Sequence, residues 1–401
     1  MGFKSYPRVY FELLFSGFML VMGMSLSSAF LPIFANDLDP SGVLVGFTVS
    51  AWFLSRIFTE LPSGVLAGWF GLRKLLVSGL ALSALGTLLC SLADSILLLI
   101  AGRALWGLGA ALFFMSSTAV ILDLFQPNVR GRALGTFQGI EFLGSFIGAP
   151  IGGFIARALN YRSVFLSTFT LMICSLTATF GSSSLREVDA RGRQRSRAGM
   201  SLRDVIPVLG SWNVSVVCVN SLSRMLVMMG LMSTVFPLFL NQQLGLSVEL
   251  IGVIVSLRTA GLILATLTCG YLSDLLGRKP IVVGGMLIES ACLYLYTLLP
   301  SFEAYLFIGS LDGFGGGMTM TSLVVLLSDV VPRNLRGGAV GMYRTFMDIG
   351  GFLGPMFFMA LFRSMGFNIA FYSAILILAA NIVFASGVKT GKTKEDSVDK
   401  A

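Results

Sequence analysis

The chain has 401 residues, 55% of them hydrophobic and 12% charged, against about 25% charged in an ordinary soluble domain, so a water-soluble fold is excluded. It contains no histidine, which removes histidine proton relays and histidine metal ligands. Its five cysteines, Cys90, Cys174, Cys218, Cys269 and Cys292, lie in apolar runs without CxxC spacing, so neither a disulfide frame nor a metal site is indicated.

At about 20 residues per spanning helix, the length holds twelve spans with short loops. The apolar runs place them at roughly 11–35, 42–69, 74–93, 96–125, 132–157 and 162–183, then 211–240, 248–275, 280–299, 303–330, 337–362 and 367–387. The first run is too long for a signal-peptide core and lacks a cleavage site, so it is expected to stay as a span. The organisation expected is a six-helix bundle over 1–184, a basic linker over 185–210, a second bundle over 211–390 and a charged, disordered tail over 391–401. The linker ends in Ser201-Leu-Arg-Asp-Val-Ile, which suits a short amphipathic helix on the membrane surface.

The net charge of +8 suggests an anionic partner, but its placement argues for topology and against nucleic acid. Lys4, Arg8, Arg73, Lys74, Arg130, Arg132, Arg278, Lys279, Arg333 and Arg336 fall at alternate ends of successive spans. Asp37, Asp39, Asp94, Glu249 and Glu303 mark the opposite ends, with Arg157, Arg162 and Arg363 against the trend. The positive-inside rule then puts both termini in the cytoplasm of a multi-pass cell-membrane protein.

The chain repeats itself. Gly64, Leu66 and Gly71 match Gly270, Leu272 and Gly277 at a separation of 206 residues. At the same separation Gly46 and Ser50 match Gly252 and Ser256, and Gly107 and Gly109 match Gly313 and Gly315. Asp123, Arg130 and Gly131 match Asp329, Arg336 and Gly337, and Gly144, Phe146 and Gly148 match Gly350, Phe352 and Gly354. One gapless offset implies two parallel six-helix halves, with the substrate site between them near the midplane. The fold class is therefore an all-α membrane protein of twelve transmembrane helices in two pseudo-symmetric bundles.

The loop Gly270-Tyr-Leu-Ser-Asp274-Leu-Leu-Gly277-Arg278-Lys279-Pro280 resembles the signature between helices two and three of the major facilitator superfamily, repeated between helices eight and nine. The earlier copy holds Gly68 at the Asp position and Leu72 at the first Arg position. Gly144-Ser-Phe-Ile-Gly148-Ala-Pro150-Ile-Gly152 resembles the helix-five motif of the drug:proton antiporter branch, with its proline one place late; Gly350, Gly354 and Pro355 echo it in span eleven. Gly102-Arg103 through Gly107 and Gly109 resembles the branch's Arg-x-x-x-Gly-x-Gly segment, whose arginine is associated with proton coupling. The resemblance implies that span five meets span eight and span eleven meets span two. It also implies a cytoplasmic latch built from Asp274 with Arg278, and Asp329 with Arg333 and Arg336, with Asp123 and Arg130 as first-half counterparts.

Ionisable groups inside spans are costly and default to function. The spans hold Arg56, Arg103, Arg224, Arg258 and Arg344, with acids Glu60, Glu141, Glu289, Asp312 and Asp348. Glu141 and Asp348 lie on the order of 15 Å from the inner face, near mid-membrane. The expected pairs are Glu141 with Arg258 and Asp348 with Arg56, each across the halves, making and breaking with protonation. A permanent pair that only fixes packing, or same-helix pairs Arg56/Glu60 and Arg344/Asp348, are the alternatives. Asp312 suits a cation or a proton, whereas Arg224 suits a carboxylate or phosphate. Glu289, on a span that the resemblance makes peripheral, is expected to be structural or to face lipid. Gly144, Gly148 and Gly152 form a flat face that admits another helix closely. Met225, Met228 and Met229 suit either packing or an adaptable pocket. Gly387-Val-Lys-Thr-Gly391-Lys392-Thr393 is one residue short of a phosphate loop and lacks a helix behind it.

These features point to a monomeric secondary transporter without cofactors, working by alternating access in a lipid bilayer and exporting small amphipathic molecules against proton entry. Proton-coupled uptake of an organic anion or sugar is the alternative, and a channel or membrane enzyme is more remote because no nucleophile–base pair or metal cluster is present.

Overall fold

The structure, a computed structural model, describes residues 6–60, 69–186, 211–331 and 336–387. The side chains of 60, 127, 128, 270, 274, 328–330 and 336–338 also fall outside the description. Gly64, Gly68, nearly all of the linker and the tail therefore lie outside the described residues.

Among the described residues there are helices and no strand. In chain order they are α1 (Arg8–Leu26), followed by a short helix Leu31–Leu38, α2 (Val45–Glu60), α3 (Leu72–Ser91), α4 (Ile96–Leu124), α5 (Pro127–Ala158) and α6 (Tyr161–Gly181). The second series is α7 (Trp212–Gln242), α8 (Val248–Leu276), α9 (Arg278–Leu298), α10 (Phe302–Val330), α11 (Arg336–Met365) and α12 (Phe367–Ser386). Eleven of the described helices are long and apolar enough to cross a membrane, and α2 is described only as far as residue 60.

The duplication is visible in the punctuation. Ser95 caps α4 by accepting from the backbone N–H of Leu98, and Ser301 caps α10 by accepting from Ala304. The hydroxyl satisfies one of the donors that a helix start leaves open. Gly71 and Gly277 stand before α3 and α9 with φ of 81° and 88°, a left-handed conformation that glycine adopts without steric cost.

Packing repeats as well. α1 lies against α5 and α6, α2 against α4, and α3 against α4 and α6; α7 lies against α11 and α12, α8 against α10, and α9 against α10 and α12. The halves meet along two seams, α2 with α11 and α5 with α8. The glycine face of α5 does not serve its seam. Cβ atoms at Gly144 and Gly148 would sit 2.8 and 2.5 Å from the carbonyl oxygens of Phe18 and Met22, and one at Gly152 would strike Leu26. The helix that approaches this face is thus α1. Gly350 and Gly354 admit α7 at Leu222 and Leu226 in the same way.

The seams use other small residues. A Cβ at Gly46 would lie 2.6 Å from the Pro355 carbonyl, and one at Gly252 would lie 2.6 Å from the Ala149 carbonyl. Ser50 donates to the Phe352 carbonyl at 2.6 Å, and Ser256 donates to the Phe146 carbonyl at 2.7 Å. These contacts close the end of the bundle where α1 leads into α2, here called the far face. Towards the opposite end, Gly131, Gly135 and Gly139 on α5 and Gly341 on α11 have nothing within 4 Å of a Cβ position. Among the described residues, the seam helices touch at the far face and leave open space around these glycines towards the face where residues 6 and 387 lie.

Candidate functional site

The site is built where the seams cross the middle of the bundle. α2 brings Arg56 to α11, where its Nε lies 3.4 Å from the Asp348 carboxylate. Asp348 is buried, whereas Arg56 keeps about a fifth of its side-chain surface open. Trp52, one turn earlier on α2, lies under the guanidinium at 4.9 Å and holds it by cation–π attraction. The pair joins opposite halves, as expected from the depth of the two residues and the seam that the resemblance implies.

Glu141 does not reach Arg258. Its Oε1 lies 3.6 Å from a Cβ position at Gly17 on α1 and accepts no hydrogen bond from the described residues. The cations whose charge reaches it are Arg344 and Arg56. The physical reason is the register of α5: the face that carries Glu141 turns inward beside α1, while the α8 seam is met by Phe146, Ala149 and Gly153. Glu141 therefore belongs to the seam cluster of Arg56, Asp348 and the exposed Arg344.

Arg258 turns into its own half. Its Nε meets Asp312 on α10 at 2.5 Å, with the carboxylate buried. Arg224 on α7 also stays within that half, donating to the Gly316 carbonyl at 2.7 Å and lying 3.8 Å from Glu289 on α9. Glu289 does not face lipid: it is buried and lines one small cavity with Arg224, Arg258, Asp312, Met228, Met232 and Leu378. Two cations and two anions sit together, so the desolvation cost of each charge is offset by its partner and by backbone carbonyls. In α7 the cavity wall includes a π-helical stretch, Met228–Val235, a wider winding often found at functional sites. Met225 and Met229 are only partly buried against the core.

The equivalent positions of the first half differ. Arg258 and Asp312 correspond to Trp52 and Trp106. Arg103 replaces a charge partner with the Thr48 carbonyl, donating at 3.1 Å, and lies over the Trp106 ring at 5.0 Å. The seam pair has no counterpart either, since Arg56 and Asp348 correspond to Leu262 and Phe142.

The latch residues are described only in part. Asp123 is exposed, and Arg130 donates to the Phe125 carbonyl at 2.9 Å. Arg278 donates to Ser273 at 2.6 Å, and Lys279 donates to the Ser386 carbonyl. Gly270 lies within α8, while the side chains of Glu60, Asp274, Asp329 and Arg336 lie outside the described residues, as does Arg333. Among the described residues, no group of histidine, cysteine and carboxylate side chains could hold a metal.

A duplicated helical bundle, parted at one face and carrying buried ion pairs at its middle, is the build of a membrane carrier. The profile of the Major Facilitator Superfamily matches residues 13–232 and again 214–400. The chain is similar to multidrug resistance protein 1 of Bacillus subtilis, 24% identical with 91% of this chain and 92% of the relative covered. It is also similar to the quinolone resistance protein NorA of Staphylococcus aureus, 22% identical over 96% and 97%. A third relative is the riboflavin transporter RibZ of Clostridioides difficile, 22% identical over 91% and 90%. The chain belongs to the Major Facilitator Superfamily. It is a multi-pass secondary transporter and not an enzyme; its surroundings are a lipid bilayer and its substrate is a small molecule.

Proposed function

We propose that the protein exports small amphipathic molecules from the cell in exchange for protons. The observation that carries this reading is the Arg56–Asp348 pair, a buried acid held across two bodies that must move apart. Protonating Asp348 removes half of the attraction and favours separation of the halves at that seam. Glu141, buried beside the same arginine, is the second proton acceptor. Asp312 and Arg103 are further coupling candidates, and Arg56, Glu60, Arg224, Arg258 and Arg344 are candidates for contact with substrate.

The units that rock are the bundles of 1–184 and 211–390, acting as a monomer in the cell membrane. With both termini cytoplasmic, the parted face is the cytoplasmic one, ready to load substrate from inside. The names of two relatives, a multidrug and a quinolone resistance protein, support export.

The test is efflux of ethidium from proteoliposomes under an imposed proton gradient. The wild type is expected to accelerate with the gradient, and Asp348→Asn to lose that response. Gradient-driven efflux at the wild-type rate in Asp348→Asn rejects the coupling. Proton-coupled uptake of an organic anion or sugar is the second reading, favoured by the exposed Arg344 at the seam; a relative named a riboflavin transporter supports transport of a polar organic molecule. A thermal-shift screen of cations, anions and sugars at two pH values separates the two, because a true ligand stabilises the folded state.

A further inference from the structure

The three arginines that break the charge trend lie at the far face, and two of them bridge the halves. Arg157, at the end of α5, forms an ion pair with Glu249 in the first turn of α8. Arg363, at the end of α11, donates to Asn36 in the segment Leu31–Leu38 and passes over Gly42. Gly42 has φ of 71° and leaves the space that a side chain would take from the guanidinium. Arg157 and Arg363 are equivalent positions, 206 residues apart. Each holds the opposite half at the rim of its own seam.

The two clasps differ in strength. Arg363 and Asn36 form an exposed bond, worth little in water. Glu249 is different, because only 4% of its side-chain surface is open. Its Oε1 accepts from Arg157 and from Ser247 at 2.6 Å, while Oε2 is buried and accepts no hydrogen bond from the described residues. A Cβ at Gly153 would lie 2.7 Å from the Glu249 Cα, so the α5 backbone covers the acid. Closing the far face therefore buries a carboxylate, and Arg157 is what makes that burial tolerable.

We propose that Arg157–Glu249 and Arg363–Asn36 form the far-face gate of the carrier, with Glu249 as a buried charge that opens the gate when its arginine is lost. The proposal rests on the transport reading only in giving the gate a purpose. The closed state is stabilised by the pair, but the acid alone opposes closure because opening returns it to water. The signs follow. Arg157→Gln leaves a buried, uncompensated anion and drives the gate open. Glu249→Gln removes the buried charge and costs less, and the double variant resembles Glu249→Gln instead of adding the two effects.

The experiment is double electron–electron resonance on the full chain in nanodiscs, with Cys174→Ser and spin labels at Leu97→Cys and Glu303→Cys. These are exposed far-face positions on α4 and α10. The ratio of long- to short-distance populations is expected to rise about tenfold in Arg157→Gln. It should rise less in Glu249→Gln and in Arg363→Gln, with the double variant at the Glu249→Gln level. Unchanged distances in Arg157→Gln, or additive effects in the double variant, overturn the gate, whether or not the protein exports ethidium. A second arm joins Arg157→Cys to Glu249→Cys with a cleavable bifunctional thiol reagent. The joined protein is expected to stop transporting and to resume after cleavage, and unchanged flux in the joined form overturns the proposal.

Discussion

Ser256 donates its hydroxyl to the carbonyl oxygen of Phe146 at 2.7 Å, from the opposite half of the molecule. Phe146 is the residue whose helical donor is missing, because the group four positions on is the ring nitrogen of Pro150 inside α5. In hydrocarbon such a freed carbonyl has no water to turn to. The proline opens a bond in one half and a serine of the other half completes it. The matching bond, Ser50 to the Phe352 carbonyl, differs: Phe352 is followed four residues later by Met356, which keeps its N–H, so Ser50 adds a second donor to a carbonyl already served.

Ser256→Ala is therefore expected to cost more than Ser50→Ala, although the two serines are equivalent in sequence. The first leaves an unsatisfied carbonyl, at about 1–3 kcal/mol, and the second removes an extra bond worth about 0.5–1.5 kcal/mol. Thermal unfolding in one detergent compares them directly, and equal shifts would remove the assigned role of Pro150.

The α1–α5 contact predicts opposite outcomes for glycines on one helix. Gly148→Leu forces a side chain into the Met22 carbonyl and should destabilise by about 1–3 kcal/mol, as overpacking does. Gly139→Ala meets nothing within 4 Å and should be neutral or stabilising by up to about 1 kcal/mol from helix propensity. Melting temperatures of the two variants in the same bilayer mimic check the contrast.

For the second-half charges, Asp312→Asn strands Arg258. A loss of about 3–5 kcal/mol is expected, the cost of breaking a buried pair. Removing both, as Arg258→Met with Asp312→Leu, should recover much of that loss, because neither charge is then left alone. Chemical unfolding monitored by tryptophan fluorescence reads the cycle; a double variant no more stable than Asp312→Asn contradicts it.

In the loop after the first span, Asp39 accepts from Ser41 at 2.5 Å and from the backbone N–H of Leu44, and feels Arg363. These contacts, the Ser41 bond foremost, hold its carboxyl below the ordinary value. A depressed folded value means the stabilisation is present above the unfolded value and is lost as pH falls through the folded one. Asp39 thus adds nothing to pH dependence between pH 5 and 8. Asp39→Asn should leave the shape of a pH–transport profile in that window unchanged; a changed shape would assign the titration to this loop.

Much of the architecture was legible because it was written twice. The offset of 206 residues matched Gly71 with Gly277, and the structure gives both the same left-handed turn; it adds equivalent caps at Ser95 and Ser301, which the matched motifs do not include. The Arg56–Asp348 pair followed from depth along two helices known to meet. Glu141 was harder, because depth fixes height in the bundle and not the face of the helix, and a rotation of one residue separates α1 from α8. For Glu289 only the lipid-facing alternative fails, for a related reason: a helix at the bundle edge still turns one face inward, and an acid inside a span takes that face. The Arg157–Glu249 pair was hidden because both residues read as ordinary loop-end charges until the seam brought them together.

The quartet of Arg224, Glu289, Arg258 and Asp312 lies wholly in one body and balances its own charge. When that body swings, it carries no net charge through the membrane field, where each elementary charge moved would feel about 2.3 kcal/mol per 100 mV. Voltage would then act on this carrier through charges outside the quartet, Arg103 with its carbonyl partner among them. Under the proposed exchange, the part of that voltage sensitivity lost in Asp348→Asn would report the charge that Asp348 moves.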